Sequence, residues 1–550
     1  MKEIIMLRNK LMIALAAGAL ISSTSCTNLD EKLYSSVTDE YFQNPENLPS
    51  AIAPVYASLR TFYHHENAWG FSQVTSDETL VPTRGGDWYD GGKWLQLNAH
   101  TWNENHPHLK VLWESPYTGI ARANVLLETL EEYEQTEEVV NTSNEVRFLR
   151  AFYYFNLMDM FGNVPLVLAS KHDGDTPAST RPELTKFIVE ELEAIKDGLP
   201  EQPKYGRVGK GAAYALLVKI YINAGVYFQD GTKVVEPTTE QLDKVINYSK
   251  VIEGMGYAVY PDYLETFKLA NEGNNTDYIF TITYAADDPL GNHGNSWGVH
   301  YDTYKVKGVE WNVPSKWNGF SIMTDRYQTF DASDNRINQF YTEFEKEDGT
   351  IVQHEQELPL FDANKTQGVR LMKWEPDPGA EGVTWGGWSG NDFPIIRYAD
   401  VLLMHAEALA RKGMNGEALA QINKLRTEGN RFESGSPIAD ASAHFSQLQS
   451  EGKVENLLDF VLMERGWELC WEGVRRQDLI RHGKYLDAWQ NKQMENDPDA
   501  FEERTDDSGE TYLFWLPSKG KASDGAHRYL FPIPPAQIDA NPNLNQNDGY

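Results

Sequence analysis

The sequence predicts a mainly α-helical protein, a solenoid of tetratricopeptide-like helical hairpins that carries long, irregular, aromatic-rich loops and little sheet. Three observations predict it. Apolar residues recur at helical spacing in several segments, some of these segments come in neighbouring pairs of similar length, and the stretches 60–108 and 285–395 are rich in Gly, Asn, Asp, Trp and Tyr with weak periodicity.

At the N-terminus, Lys2, Arg8 and Lys10 precede an apolar run from Leu11 to Ile21, and the small residues Ser22, Ser23, Thr24 and Ser25 lead into Cys26. This pattern reads as a secretory signal over residues 1–25. The run is about half the ~20 residues that a membrane-spanning helix needs, so a permanent span is not expected. Small residues before a cysteine at the end of an apolar run resemble the bacterial lipobox, which makes Cys26 the expected lipidation site, with Ser23 where a leucine is usual. The alternative is ordinary signal cleavage with Cys26 left as a free thiol. Polar residues follow, so 26–36 is expected to be a lipidated tether. The chain has only two cysteines; lipidation of one leaves Cys470, expected to be a buried core thiol.

Beyond the tether, Val146, Leu149, Tyr153, Leu157 and Met160 put one apolar stripe on a helix that stops near Gly162 and Pro165. The same spacing recurs at Ala213, Leu216, Ile220 and Ala224, at Tyr398, Leu402, Ala406 and Leu409, and at Phe460, Met463, Trp467 and Cys470. The segment 112–132 before the first helix and 416–427 after the third imply helical hairpins, whose units must stack to bury their faces. An N-terminal helical region over 37–232 and a C-terminal region over 233–550, packed into the same unit, is the expected organisation.

With 49 basic and 81 acidic residues the net charge is −32, and no basic patch is visible. Such a surface repels a phosphate backbone, so nucleic acid is not an expected partner, and a neutral ligand is favoured over a polyanion.

The 15 tryptophans are unevenly placed, with none between Trp113 and Trp297. They gather at Trp69, Trp88, Trp94 and Trp102, at Trp297, Trp311 and Trp317, and at Trp374, Trp385 and Trp388. Sugar rings present apolar C–H faces edged with hydroxyls, so a glycan site needs flat aromatic platforms beside hydrogen-bonding side chains. The run from Thr83 to Trp94 offers both: Trp88 and Trp94 as platforms, Arg84 and Asp87 to grip hydroxyl pairs, glycines for tight turns, and Asn98 nearby to add an amide. Trp297 and Trp311 complete the candidate ligand-binding set. Any single one of these tryptophans has an alternative role in packing.

Catalytic motifs fit poorly. Gly294-Asn295-Ser296-Trp297-Gly298 matches Gly-x-Ser-x-Gly, but polar residues precede it where a nucleophile elbow needs a buried apolar strand. His65-Glu66 and His354-Glu355 lack the second histidine of a zinc motif, and no paired-cysteine site exists. The carboxylates of Asp331 and Asp334 lack the roughly twelve-residue calcium-loop spacing and read as a solvated turn. No cofactor, metal or catalytic residue is expected, although acidic pairs of the kind used in glycoside hydrolysis cannot be read from sequence.

Several segments, in order along nearly the whole chain, resemble the SusD/RagB family. They are Arg147 to Phe155 running on to Pro165, Gly209 to Tyr221, Pro394 to Glu407 with Asn423 and Arg426, Glu464 to Asp478, and the ending from Phe531-Pro532-Ile533-Pro534 through Asn541-Pro542-Asn543-Leu544 to Tyr550. The resemblance implies a lipid-anchored outer-membrane protein facing the cell exterior. It would bind a nutrient glycan without chemistry and pass it to a SusC-like TonB-dependent transporter; peptide capture by the same route is the alternative, and a surface glycoside hydrolase a third. Arg397, Asp400, Glu407, Glu464, Arg465 and Arg475 of these motifs are expected to pair with one another or cap helices rather than touch ligand.

Overall fold

The computed structural model describes residues 47–550 apart from 285–317, 375–390, 487–500, 506–510, 516–524 and short gaps at 85–86, 173, 269–272, 274, 346–347, 357, 359, 361–362 and 365. Residues 49–550 form one compact unit. Two short helices, α1 (Leu48–Phe62) and α2 (Ala68–Val74), lead through β1 (Thr79–Leu80) to the one-turn α3 (Lys93–Asn98). The long hairpin of α4 (Leu109–Glu131) and α5 (Glu137–Phe161) follows, then α6 (Arg181–Ile195), α7 (Lys210–Ile222), α8 (Ala224–Tyr227) and α9 (Thr239–Glu253). After the short α10 (Thr324–Tyr327), the C-terminal half adds α11 (Tyr398–Arg411), α12 (Asn415–Glu428), α13 (Ala441–Ser450), α14 (Leu457–Glu468), α15 (Arg475–Arg481) and α16 (Pro535–Ala540). Among the described residues sheet is confined to two-stranded pairs, the longest buried one being β4 (Tyr278–Ile282) against β10 (Phe393–Arg397), antiparallel.

Neighbouring helices pack in series, α4 on α5, α5 on α6, α7 on α9, α9 on α11, and α11 on both α12 and α14. The mainly helical, hairpin-stacked class expected from periodicity is the one observed. The α5 start is fixed by Thr136, whose hydroxyl accepts from Val139 N at 3.3 Å. Thr180–Glu183 and Thr238–Gln241 form reciprocal capping boxes on α6 and α9. At the end of α5, Gly162 adopts φ 74°, where the expected stop falls. Gly119 lets α4 and α5 close together: a Cβ there would lie 2.4 Å from the Tyr153 ring. Tyr153 in turn donates to Val55 O of α1 at 2.6 Å.

Charged side chains, rather than apolar ones alone, hold the C-terminal half together. Glu468, fully buried, accepts from Arg397 at 2.9 Å, Arg431 at 2.9 Å and Arg336 at 3.2 Å. One turn earlier Glu464 meets Arg336 at 2.9 Å and also Arg426. Glu472 receives Arg397 at 2.8 Å and Lys373 at 2.6 Å, and Asp277 receives Arg397 at 3.0 Å. Asp334 closes the set on Arg336 at 2.7 Å, so the turn is exposed at Asp331 and Ala332 but holds a buried ion pair at Asp334, a correction to the simple solvated turn. Asp277, Asp334, Glu464, Glu468 and Glu472 thus face Arg336, Lys373, Arg397, Arg426 and Arg431, and the lattice is electrically balanced.

A second chain of pairs joins the two halves. Arg465 bridges Asp400 at 2.9 Å and Asp478 at 2.8 Å, and Asp400 also meets Lys219 of α7 at 3.2 Å. Arg481 joins Asp478 to Glu407, Arg476 reaches Asp159 of α5 at 2.9 Å, and Arg475 reaches Asp77 at 2.8 Å. The six motif residues expected to be structural all lie in these pairs. Cys470 is a buried free thiol, as expected, and burial pushes its pKa well up.

Burial pushes the Glu464 carboxyl up, but the Arg336 and Arg426 guanidinium groups outweigh it and bring its pKa down to about 2 from the ordinary 4.5. Burial likewise raises Asp400, while Lys219 and Arg465 pull it down to about 2 from 3.8. Both folded values lie below the unfolded ones, so these groups stabilise the fold above about pH 4.5 and lose that contribution as pH falls toward 2. Melting temperature should therefore fall on acidification through that window. Glu468→Ala strands three guanidinium groups in the core and should lower stability by about 3–5 kcal/mol in urea denaturation; an unchanged midpoint would show that the lattice is not what holds the half together.

Candidate ligand-binding face

The candidate loop is built on a strained backbone. Trp88 has φ 61° and Asp90 φ 47°, followed by Gly91 at 67° and Gly92 at 80°. A tryptophan in the left-handed region is costly by about 1–3 kcal/mol and persists only where its surroundings hold it. Here they do. Arg84 N donates to Asp87 O at 3.0 Å, and Asp87 Oδ1 accepts from Trp88 N at 3.1 Å. The Arg84 guanidinium then reaches across to a second segment, donating to Asn318 O at 3.0 Å, Gln367 O at 3.2 Å and also Asn364 O.

The Trp88 indole lies on Gly319, where a Cβ would sit 2.2 Å from it. It also packs edge-on to Phe320 with centroids 5.8 Å apart and tilted to Trp94 at 6.2 Å. Trp94 sits deeper, 1% exposed, between Phe320 at 5.2 Å and His65 at 6.2 Å, its indole N–H donating to Asp90 at 3.0 Å. Asn98, also buried, accepts from Val81 N and donates to Val74 O and Thr79 O, so its amide pins α3 to the end of α2 and to β1 and the residue after it. Of the sequence-predicted residues, Asp87 is exposed, Arg84 half-buried and Trp88 buried beneath them, while Trp94 and Asn98 form the floor. Trp297 and Trp311 lie outside the described residues, as does Ser296.

Residues that flank 285–317 and 375–390 are held by buried side chains. Asn318 closes 285–317 and is held by Arg84 and by the buried Arg370, whose Nε donates to Asn318 Oδ1 at 2.6 Å. At the opposite end of that segment Tyr284 N donates to Asp392 Oδ1 at 2.7 Å, and Asp392 also closes 375–390. Trp374, buried, packs on Phe267 and on Phe393 at the two ends of 375–390. Asn318, Gly319, Phe320 and Asp392 were not singled out in the sequence, and nothing in their local pattern marks them; only the pairing of distant segments does.

Among the described residues one group has metal-ligand composition: His64, His65 and Glu66, with donor atoms within 4.8 Å of one another. It suits a cation poorly. Lys93 already sits on Glu66 at 2.9 Å, and His64 Nδ1 accepts from Glu66 N at 3.2 Å. Burial depresses the nearby His106 and His108 to about 4, so they are neutral at neutral pH.

Stacked helical hairpins carrying a strained, aromatic-lined loop define a helical-repeat protein. The chain belongs to the SusD family: the model described as "SusD family" matches residues 254–550. A second model, described as "Starch-binding associating with outer membrane", matches 28–222. Among similar proteins, the starch-binding protein SusD of Bacteroides thetaiotaomicron is 24% identical over 88% of this chain and 86% of its own. SusD-like protein P2 of Formosa agariphila is 25% identical over 96% and 98%. In structure, a laminarin-binding SusD-like protein superposes with TM-score 0.67 at 21% identity, covering 92% of this chain and all of its own. Surface glycan-binding protein A of B. thetaiotaomicron also gives 0.67, at 20% identity and the same coverage.

Gly319→Ala should push the Trp88 indole off its seat without disturbing the ion lattice. The expected result is a changed near-ultraviolet circular dichroism band with the far-ultraviolet spectrum and urea midpoint nearly preserved; an unchanged near-ultraviolet band would contradict the packing described.

Proposed function

We propose that this protein is a non-catalytic, cell-surface glycan-binding lipoprotein that delivers an oligo- or polysaccharide to a SusC-like TonB-dependent transporter. In this reading residues 1–25 are the signal, Cys26 carries the lipid that anchors the chain to the outer membrane, 26–36 is the tether, and the 37–232 and 233–550 regions act as one binding unit. The observation that carries it is Trp88, held at φ 61° on Gly319 where its loop meets Asn318 and Phe320. Residues held in sparsely populated backbone conformations cluster at ligand clamps and other functional sites. Asp87, Arg84 and Trp88, with Trp297 and Trp311, are the ligand contacts; Trp94 and Asn98 position the loop from below. The family membership, and relatives named for binding starch, laminarin and surface glycan, favour the same chemistry.

The test is a glycan panel on the purified chain from Thr27 onward, by affinity electrophoresis and calorimetry, with a Trp88→Ala/Trp94→Ala variant alongside. Binding is expected in the micromolar range or poorer, without release of reducing ends, and lost in the variant. Binding that survives in the variant moves the contacts to Trp297 and Trp311. A parent that binds peptides and no glycan overturns the ligand class, and release of reducing ends overturns the absence of chemistry.

A further inference from the structure

Tyr205 stands on the loop between α6 and α7 with 42% of its surface exposed, at the lip of a cleft of about 270 Å³ whose walls include Gln202, Tyr257, Asn275 and Thr276. Its position is fixed from several sides. The hydroxyl donates to Asp392 Oδ2 at 2.5 Å, and Asp392 Oδ1 accepts from Tyr284 N, so the ring is tied to the ends of both long irregular segments. Gly206 follows at φ 75°, so close to Thr283 that a Cβ would lie 2.6 Å from its methyl group. Arg207 then clamps Glu145 of α5 through two bonds of 2.7 and 3.0 Å. An exposed aromatic ring held this firmly loses little freedom on binding. Because its hydroxyl is already committed to a carboxylate, what it offers a ligand is the ring face, beside a cleft with hydroxyl and amide groups on its wall. That combination suits a neutral sugar ring, C–H face on the aromatic and hydroxyls toward the cleft.

Packing contacts lead from Tyr205 back toward the Trp88 loop. Tyr284 lies under the Arg60 guanidinium at 5.6 Å, and Arg60, in the last turn of α1, also donates to Thr283 O at 2.9 Å. A few residues further on, His65 packs on Trp94 and Phe320 beneath Trp88. We infer that Tyr205 is an outlying subsite that stacks on a sugar unit of a long glycan whose other units lie against the Trp88 loop, making the protein selective for chain length. This rests on the glycan-binding reading above.

The experiment uses the chain from Thr27 onward and compares the parent with Tyr205→Ala and Tyr205→Phe, titrated by calorimetry with ladders of malto- and laminari-oligosaccharides and with the glycan that binds best in the panel. The expected result is an affinity for the longest oligomers about tenfold lower in Tyr205→Ala, unchanged for the shortest that binds, and close to parental in Tyr205→Phe. Equal affinity of Tyr205→Ala and parent for long chains overturns the subsite and leaves glycan binding standing. Equal loss in both variants, at unchanged thermal stability, would make the bond to Asp392 the active feature and also overturn it. A parent that binds no glycan removes the reading on which it rests.

Discussion

Glu468 is the point on which the C-terminal half turns. A single buried carboxylate receives three guanidinium groups, from the loop before the β6 strand (Phe340–Tyr341), from the strand that opens α11, and from the turn after α12. None of those cations could stand in the core alone, since an unpaired buried charge costs several kcal/mol. Their burial therefore requires α14 to sit where it does, and α14 in turn delivers Arg465 to Asp400 and Asp478. Arg475, Arg476 and Arg481 extend the same logic to Asp77, Asp159 and Glu407, so that α15 ties the first helices of the chain to the last. Ion pairs of this kind specify an arrangement more than they add net stability, because each fixes partner and direction where apolar contacts would accept slippage.

That rigid frame allows the loop face to be irregular. Strand β10 begins at Phe393, next to Asp392 at the exit of one long segment, and ends at Arg397 inside the ion lattice. Its partner β4 runs from Asp277, which holds Arg397, toward Tyr284 at the entry of the other. The loop ends are thus anchored a few residues from the most constrained charges in the molecule. The left-handed backbone at Trp88 is held on the other side by Arg84 and Gly319. Burial raises the pKa of Asp392 to about 6 despite its bonds from Tyr205 and Tyr284.

Much of the scaffold was legible because helix formation is local: the apolar stripe at Val146 to Met160 and the stop at Gly162 need no distant information. The six motif charges could be assigned to pairing because a buried charge has no other stable state, yet only the folded chain names their partners; Asp77 for Arg475 is 398 residues away. The site was legible as a region. Local composition gathered Arg84, Asp87, Trp88 and Trp94, but how deeply each ring is buried depends on Phe320 and Gly319, supplied from more than two hundred residues downstream. Asn98 fits the same pattern: an amide in a polar-looking stretch is equally suited to a ligand or to three backbone groups, and here the backbone holds it. Asp334 read as solvent-facing for the same reason, since Arg336 was visible beside it but Glu464 was not.

In the proposed function the charge-locked frame presents a preformed glycan face beside the Trp88 loop. Hydrogen–deuterium exchange with and without a saturating glycan tests it most directly. The account predicts slow exchange in α11 and α14 in both states, with new protection confined to residues around 84–94, 285–320 and 200–206. Protection spread over the helices, or none in those three segments while glycan is bound, would contradict it.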